Sequence, residues 1–274
     1  MTVYRKETLL RHHAFSRLRL VHAAFVDSYE CHIAGNRMPV NRLLFVCGDD
    51  RCEESSIRDV SDGTLLPMKA GHLYFIPCNH LVDLNIAPEL HFVSLQFNLD
   101  LFYGFDVFES HPRCKMLENP DLVAELRLLL ERDTELGTLY RINEIIFHLC
   151  VLWAPTDGPD IQERLVRSLK HKKATEFIRT SGSAATTVEM LADMTGMRRD
   201  VFSRKFTRDM GITPKDFISD SVVRKASEML LAPGASVKGV AQTLNFSSEY
   251  YFSHFFKRHT GMSPSAFRKH NGGR

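Results

Sequence analysis

Between Thr187 and Arg268 one pattern is written twice, and a duplicated unit of this size leaves few folds open. Phe202, Phe206, Gly211, Pro214 and Phe217 recur fifty positions later as Phe252, Phe256, Gly261, Pro264 and Phe267. Upstream the offset is forty-nine, with Val188 and Ala192 matching Val237 and Ala241, so the second copy has one extra residue before its aromatic segment. A solenoid needs about three or more copies to bury a continuous core. Two copies describe a duplicated supersecondary unit.

Each copy predicts a short helix, a turn and a second helix. Val188, Leu191 and Ala192 fall at i, i+3 and i+4, one face of a helix, as do Val237, Val240 and Ala241. Thr186 precedes Glu189 by three, a capping-box signal for the first start. Gly196 supplies the left-handed corner in the first copy; Asn245, a residue that tolerates positive φ, stands in the second. Gly211-Ile-Thr-Pro214 and Gly261-Met-Ser-Pro264 then supply a helix stop, an N-cap and a proline at the first helical position. After Pro214 a connecting helix runs to about Leu231, with Phe217, Val223, Ala226, Met229 and Leu230 as its buried side. The unit is a helix-turn-helix. A plain helical bundle would account for the aromatic stripes as core. It would not account for the polar outer faces of both second helices, Arg198 to Lys205 in one and Ser248 to Lys257 in the other.

With these residues in place, Lys172 to Arg268 resembles the DNA-binding domain of AraC-type (AraC/XylS) bacterial transcription regulators. Those domains carry two helix-turn-helix units joined by a long helix. They end in Gly-x-Ser-Pro-x-x-aromatic-Arg, here Gly261-Met-Ser-Pro-Ser-Ala-Phe-Arg268. The resemblance implies that helices near 198–208 and 247–259 enter successive major grooves, about 34 Å apart. It offers Arg199, Asp200, Ser203 and Arg204 to base edges from the first, with Arg198 and Lys205 nearer phosphates. From the second it offers Glu249, Tyr250, Ser253 and His254, flanked by Ser248 and Lys257. The chain departs from the family where the second turn reads Asn245-Phe246 for Gly-Phe, where His254 replaces a common Arg, and where Val222 stands in the connector. These departures bear on base preference.

Charge is divided along the chain. Residues 1–160 hold 15 Lys and Arg against 23 Asp and Glu, whereas 161–274 hold 20 against 10, within a net charge of +2. The basic part is the electrostatic footprint of phosphate binding. Residues 15 to 100 read as short strands. Arg42–Cys47 is an apolar run, and His72–Pro77, Leu81–Ile86 and Glu89–Phe97 follow, separated by Gly48-Asp-Asp50, Asp62-Gly63 and Ala87-Pro88. Gly71-x5-Pro77-x2-His80 is similar to a turn of the cupin-like β-barrel that AraC-type regulators often carry. Leu122, Leu126, Leu129 and Leu130 predict a helix, and Ile142, Ile145, Ile146, Leu149 and Leu152 a second one, with Gly137 between them. Such a pair packs on its own domain or, as the resemblance implies, forms a dimer interface. Ala154-Pro-Thr-Asp-Gly-Pro159 reads as a linker.

The expected architecture is α+β. A cupin-like regulatory β-barrel occupies 1–110, a helical pair and linker 111–159, and an all-α double helix-turn-helix domain 160–274. Barrel mouths are common ligand sites, so His32, Arg37, His80 and His91 are expected to help line a pocket for a small polar effector, such as a sugar. Six scattered cysteines without a Cys-x-x-Cys pair read as reduced thiols, and no zinc or other cofactor is expected. No signal core or membrane span is legible, which suggests a cytoplasmic protein. The expected function is a sequence-specific, effector-controlled transcription regulator and not an enzyme. Its expected partners are double-stranded DNA, a second copy of itself and, if it activates, RNA polymerase. The alternative is a metal-dependent cupin-type enzyme with an accessory helical domain. The absence of a His-x-His motif with a following Glu argues against that alternative.

Overall fold

A computed structural model of the chain describes residues 16–27, 29–48, 54–101, 105–110, 113–131, 136–153, 163, 166–232 and 234–271. The turn at Asp49-Asp50 and the linker at 154–159 lie outside them.

The N-terminal part is antiparallel. The strands β1 (Ser16–Val26), β3 (Asn41–Cys47), β6 (His72–Ile76), β8 (His91–Leu101) and β10 (Lys115–Glu118) form one sheet in the order β1-β8-β3-β6-β10, with β9 (Phe105–Asp106) on β8. A second sheet runs β2 (Cys31–Asn36), β7 (Val82–Ile86), β4 (Ser56–Asp59), β5 (Leu65–Pro67). The two sheets suit a cupin-like domain without closing into a barrel. Strand β3 is buried at every position because both faces of its sheet are covered. Leu43, Phe45 and Cys47 join a core with the helices α1 (Pro120–Glu131) and α2 (Leu136–Trp153), while Leu44 and Val46 join Ile57, Val82, Leu84 and Ile86 of the second sheet. That two-sided burial explains an apolar run where a half-exposed strand would alternate. Gly137, expected between the helices, lies inside α2 instead, with no side chain within 4 Å of where its Cβ would be.

The C-terminal part is helical: α3 (Lys172–Ser181), α4 (Val188–Met194), α5 (Arg199–Met210), α6 (Pro214–Leu231), α7 (Val237–Thr243), α8 (Glu249–Thr260) and α9 (Pro264–Asn271). The cap of α4 is one residue later than expected. The Thr187 side chain accepts from Met190 N, while Thr186 Oγ1 accepts from Ser183 N. Thr213 caps α6 through Asp216 N, and Pro214 occupies its first turn. Gly211 and Gly261 end α5 and α8 in the left-handed conformation, at φ 74° and 82°. Phe202 and Phe206 lie tilted against each other at 5.5 Å, and Phe206 meets Phe217 edge-on at 5.5 Å. In the second unit Phe252 and Phe256 stand 5.8 Å apart, with Phe256 edge-on to Phe267 at 5.3 Å. The first unit gains a further ring. His171 packs 5.0 Å from Phe206, and its Nε2 lies 3.0 Å from Asp209 Oδ2.

The two parts share a core. Met38 and Val40, from the β2–β3 connection, are buried among the helices, and Val21 and Ile33 pack against the same cluster. Arg224 of α6 pairs with Asp100 of β8 at 3.0 Å, and Arg19 of β1 reaches Glu228 of α6 at 2.5 Å. Asn36 Nδ2 donates to the Thr260 carbonyl at 3.0 Å. Nearby in the sheet Asp106 accepts from Asn41 Nδ2 and from the amides of Leu99 and Phe108. Burial pushes the Asp106 carboxyl up to about 6 despite those donors.

Phe206 is fully enclosed by three aromatic rings, so truncating it leaves a cavity the backbone cannot close. Phe206→Ala is expected to lower unfolding stability by roughly 3–5 kcal/mol. Chemical denaturation checks this. A loss under about 1 kcal/mol would mean that the ring does not hold the unit together.

Candidate nucleic-acid interface

The corner of each unit sets the direction of its second helix. Gly196 turns at φ 67° and Asn245 at φ 57°, so the residue exchange between the copies preserves one backbone shape. In both units the amide after the left-handed residue returns to the preceding helix, Met197 N to Ala192 O at 3.0 Å and Phe246 N to Ala241 O at 2.9 Å. The phenylalanines face inward, so the intervening polar residues of α5 and α8 face out. Arg198, Arg199, Asp200, Arg204 and Lys205 are exposed, and Ser203 is half-buried. On the second unit Ser248, Glu249, Tyr250, His254 and Lys257 are exposed and Ser253 is half-buried. Tyr250 is 80% accessible, a large aromatic with no packing role in this state.

On α5 the cations are held in a lattice. Arg198 grips Asp200 through Nε and Nη2 at 3.2 and 3.0 Å, Arg204 reaches the same carboxylate at 3.2 Å, and Arg199 pairs with Glu189 at 3.1 Å. The Arg198 guanidinium holds the Asp200 carboxyl below the usual range. These are exposed pairs of small energetic worth, so they orient the guanidinium groups without committing them. Between the two units lies a cleft whose lining includes Arg199, Lys215, Tyr251 and Arg258. Lys215, Tyr251 and Arg258 were not singled out from the sequence. The signal for Lys215 was its place directly after the N1 proline, which leaves it on the exposed first turn of α6.

The expected effector residues do not gather. His32 is exposed beside Glu30, and His91 is exposed and stacks on Phe25. Arg37 faces Asp220 of α6 at 3.8 Å, and His80 is buried 2.8 Å from Asp59. Alternation explains the scatter, because His32 and His91 sit on outward positions of β2 and β8. The cavity between the sheets is lined by other residues, among them Tyr29, Asn36, Arg42, Phe92, Gln96 and, from the helical part, Met262. Arg42 is the one cation in that lining. Its side chain is buried, its Nη1 donates to Asn36 Oδ1 at 2.5 Å, and its Nε and Nη2 have no hydrogen-bond partner. Burial pulls its pKa down to about 10, so it remains charged at neutral pH.

Comparison with known proteins follows the same division. A family model described as a helix-turn-helix domain matches residues 191–270. The raffinose operon transcriptional regulatory protein RafR of Pediococcus pentosaceus is 22% identical over 222 residues, covering 75% of this chain and 78% of that one. The lactose operon transcription activator of Staphylococcus xylosus is 25% identical over 97 residues, 35% of each chain, so the chain spans about a third of that relative. The fold is similar to that of ToxT from Vibrio cholerae, with a TM-score of 0.59 at 10% identity, covering 94% of this chain and 99% of ToxT. ToxT with a bound unsaturated fatty acid is similar at a TM-score of 0.56 and 11% identity, over 94% and 97% of the two chains. No helix among the described residues is long and apolar enough to cross a membrane. With the duplicated units, their outward polar helices and these relatives together, the chain is a DNA-binding transcription regulator whose residues 191–270 form a helix-turn-helix domain similar to those of AraC/XylS-type proteins.

Proposed function

We propose that α5 and α8 read two successive major grooves. The observation that carries this is the equivalence of the two corners at Gly196 and Asn245, which present polar faces of the same kind in both units. In this reading Arg204, with Arg199, Asp200 and Ser203, meets base edges, while Arg198 and Lys205 meet phosphates. Glu249, Tyr250, Ser253 and His254 read the second groove, with Ser248 and Lys257 at its edge. Arg199, Lys215 and Arg258 line the cleft between the units, where the intervening phosphates would pass. A guanidinium can fork onto guanine O6 and N7, and a carboxylate can accept from cytosine N4. The test uses the full-length protein on DNA from upstream of its own gene, against shuffled DNA, across a salt series. Arg204→Ala is expected to cost ~1–3 kcal/mol at one base position, whereas Lys205→Ala weakens all sequences alike and flattens the salt slope by about one. Equal losses from both variants on every sequence would overturn the assignment.

The effector site that the geometry supports is the cavity around Arg42. It differs from the expected sugar site, because one buried cation sits among Met38, Leu44, Leu84, Ile86 and Phe92. That chemistry suits an anionic head, such as a carboxylate, on a largely apolar body. The cavity is about 50 Å³, room for a few waters and far below an organic molecule. A ligand therefore has to move a wall, and one wall is Met262, which directly follows Gly261 at the end of α8. A carboxylate taking Arg42 would also compete with Asn36, whose other end holds the Thr260 carbonyl. Occupancy is thereby coupled to the reading domain by differential contacts. Medium-chain carboxylic acids are expected to raise the melting temperature of the wild type, their methyl esters not, and Arg42→Met to abolish the difference. Stabilisation by sugars alone would overturn this effector class and leave the DNA reading intact.

The chain acts as a homodimer in this proposal, through the outer face of α2. Tyr140, Phe147 and Val151 recur at seven- and four-residue spacing and are exposed, Val151 at 73%. Activation through RNA polymerase, in the cytoplasm, is the mode consistent with the lactose-operon relative, an activator by name. The enzyme alternative finds no support among the relatives. Val151→Glu is expected to shift the protein from dimer to monomer in sedimentation, with unchanged unfolding stability. A wild type that sediments as a monomer at high concentration would remove this role.

A further inference from the structure

The end of β4 lies where three polar groups from separate segments meet. Asp59 and His80 are both buried, and Cys114, next to β10, is half-buried. Their ligand-type atoms, a carboxylate oxygen, an imidazole nitrogen and a sulfur, all lie within 4.8 Å of one another. Asp59 is firmly placed. Its Oδ1 accepts from Ser61 N at 3.0 Å and Ser61 Oγ at 2.6 Å, and its Oδ2 accepts from Cys114 N at 3.2 Å. That last bond also fixes the Cys114 backbone against the carboxylate. His80 is placed from the other side. It follows Asn79, held in the left-handed conformation at φ 56° with its amide donating to Met38 O at 2.7 Å.

The His80 ring nitrogen carries the argument. Its side chain is 5% exposed, and Nε2 stands 2.8 Å from Asp59 Oδ1. Yet Nε2 makes no hydrogen bond of acceptable geometry. A buried polar atom thus comes close to a carboxylate without an aligned hydrogen bond to it. A buried nitrogen left this way is costly and calls for an explanation. A nitrogen and an oxygen side by side, with a sulfur within 4.8 Å of both, provide one.

We propose that Asp59, His80 and Cys114 bind a borderline divalent cation, zinc by donor set, with a fourth position open to water. Nitrogen, oxygen and thiolate together are a zinc donor set. Bonds of about 2.0–2.3 Å to a tetrahedral ion place ligand atoms about 3.3–3.8 Å apart, within the spread these atoms already have. The His80 imidazole offers a ring nitrogen and the Asp59 carboxylate an oxygen. The Cys114 thiol binds as thiolate, releasing its proton to solvent as the metal–sulfur bond forms. The ion would tie β4, the approach to β7 and the approach to β10 at one point. The sequence hides such a site because its ligands are 21 and 34 residues apart, outside any metal-binding spacing motif.

The experiment uses the full-length, tag-free protein, stripped with chelator and titrated with Zn2+ against a chromophoric competitor, then with Co2+. One equivalent is expected, and the Co2+ form should show a thiolate charge-transfer band in the near ultraviolet. Cys114→Ser should lose that band. His80→Ala should weaken zinc by more than the roughly 10–100-fold that loss of an outer-shell partner costs. His91→Ala, an exposed histidine outside the group, should change nothing. X-ray absorption on the wild type, independent of any variant's folding, should find one sulfur at about 2.3 Å and nitrogen or oxygen at about 2.0 Å. No stoichiometric uptake, a charge-transfer band that survives Cys114→Ser, or a zinc shell without sulfur would each overturn the site. None of these outcomes bears on DNA binding.

Discussion

The contact on which the DNA-binding half depends is a trio of phenylalanines in each unit, two on the second helix and one on the helix that follows the Gly-x-hydroxyl-Pro turn. The inter-ring distances differ by only a few tenths of an ångström between Phe202–Phe206–Phe217 and Phe252–Phe256–Phe267. Because the rings lie one helical turn apart, they fix the rotation of the helix about its own axis as well as its position. The face opposite is then determined. Arg204 and His254, each two residues after the first ring of its pair, are outward by necessity. The polar chemistry that this outer face exposes is thus set by packing on the other side of the same helix.

The second constraint is the seam between the sheets and the helices. It is partly apolar, through Met38, Val40, Val21 and Ile33, and partly ionic, through Arg224–Asp100 and Arg19–Glu228. Asp100 and Arg224 are largely shielded from water, so each compensates a charge the other could not leave buried alone. Next to this seam the Gly261 corner approaches β2, where a Cβ on that residue would lie 3.3 Å from Ile33. A residue chosen for the helix stop thereby also permits the close approach of the two parts.

Much of the helical part was legible in the sequence because its signals are local. Gly196, Asn245, Gly211, Gly261, Thr213 and Pro214 each act within a few residues through backbone conformation or capping. Thr186 misled for the same reason: two adjacent hydroxyls both fit a cap, and the Ser183 amide takes Thr186 and leaves the cap to Thr187. The central strands were legible as apolar runs. The long β1 was not singled out, since the alternation of Arg17, Leu18, Arg19 and Leu20 is interrupted between Leu20 and His22, where its pairing with β8 shifts register. Pocket residues failed by a different route. His32, Arg37, His80 and His91 stand out by type, but inward direction depends on pleat and register. Arg42, at the head of an apolar run, gives no sign in the sequence that it is the cation facing the cavity. The pairing Arg42–Gln96 across β3 and β8 becomes visible only with the register.

The seam also bears on how such regulators diversify. Sensor and reader domains are often pictured as exchangeable modules joined at a linker. Here Val40 and Met38 belong to the sheet part by sequence and to the helical part by core, and Asp100 finds its counter-charge across the boundary. A graft at the linker would strand an acid on one side and a guanidinium on the other. Recombination that preserves folding would have to carry α6 together with β1 and β8. The unit inherited as a block is therefore defined by shared burial and cuts across the division that the chain order suggests.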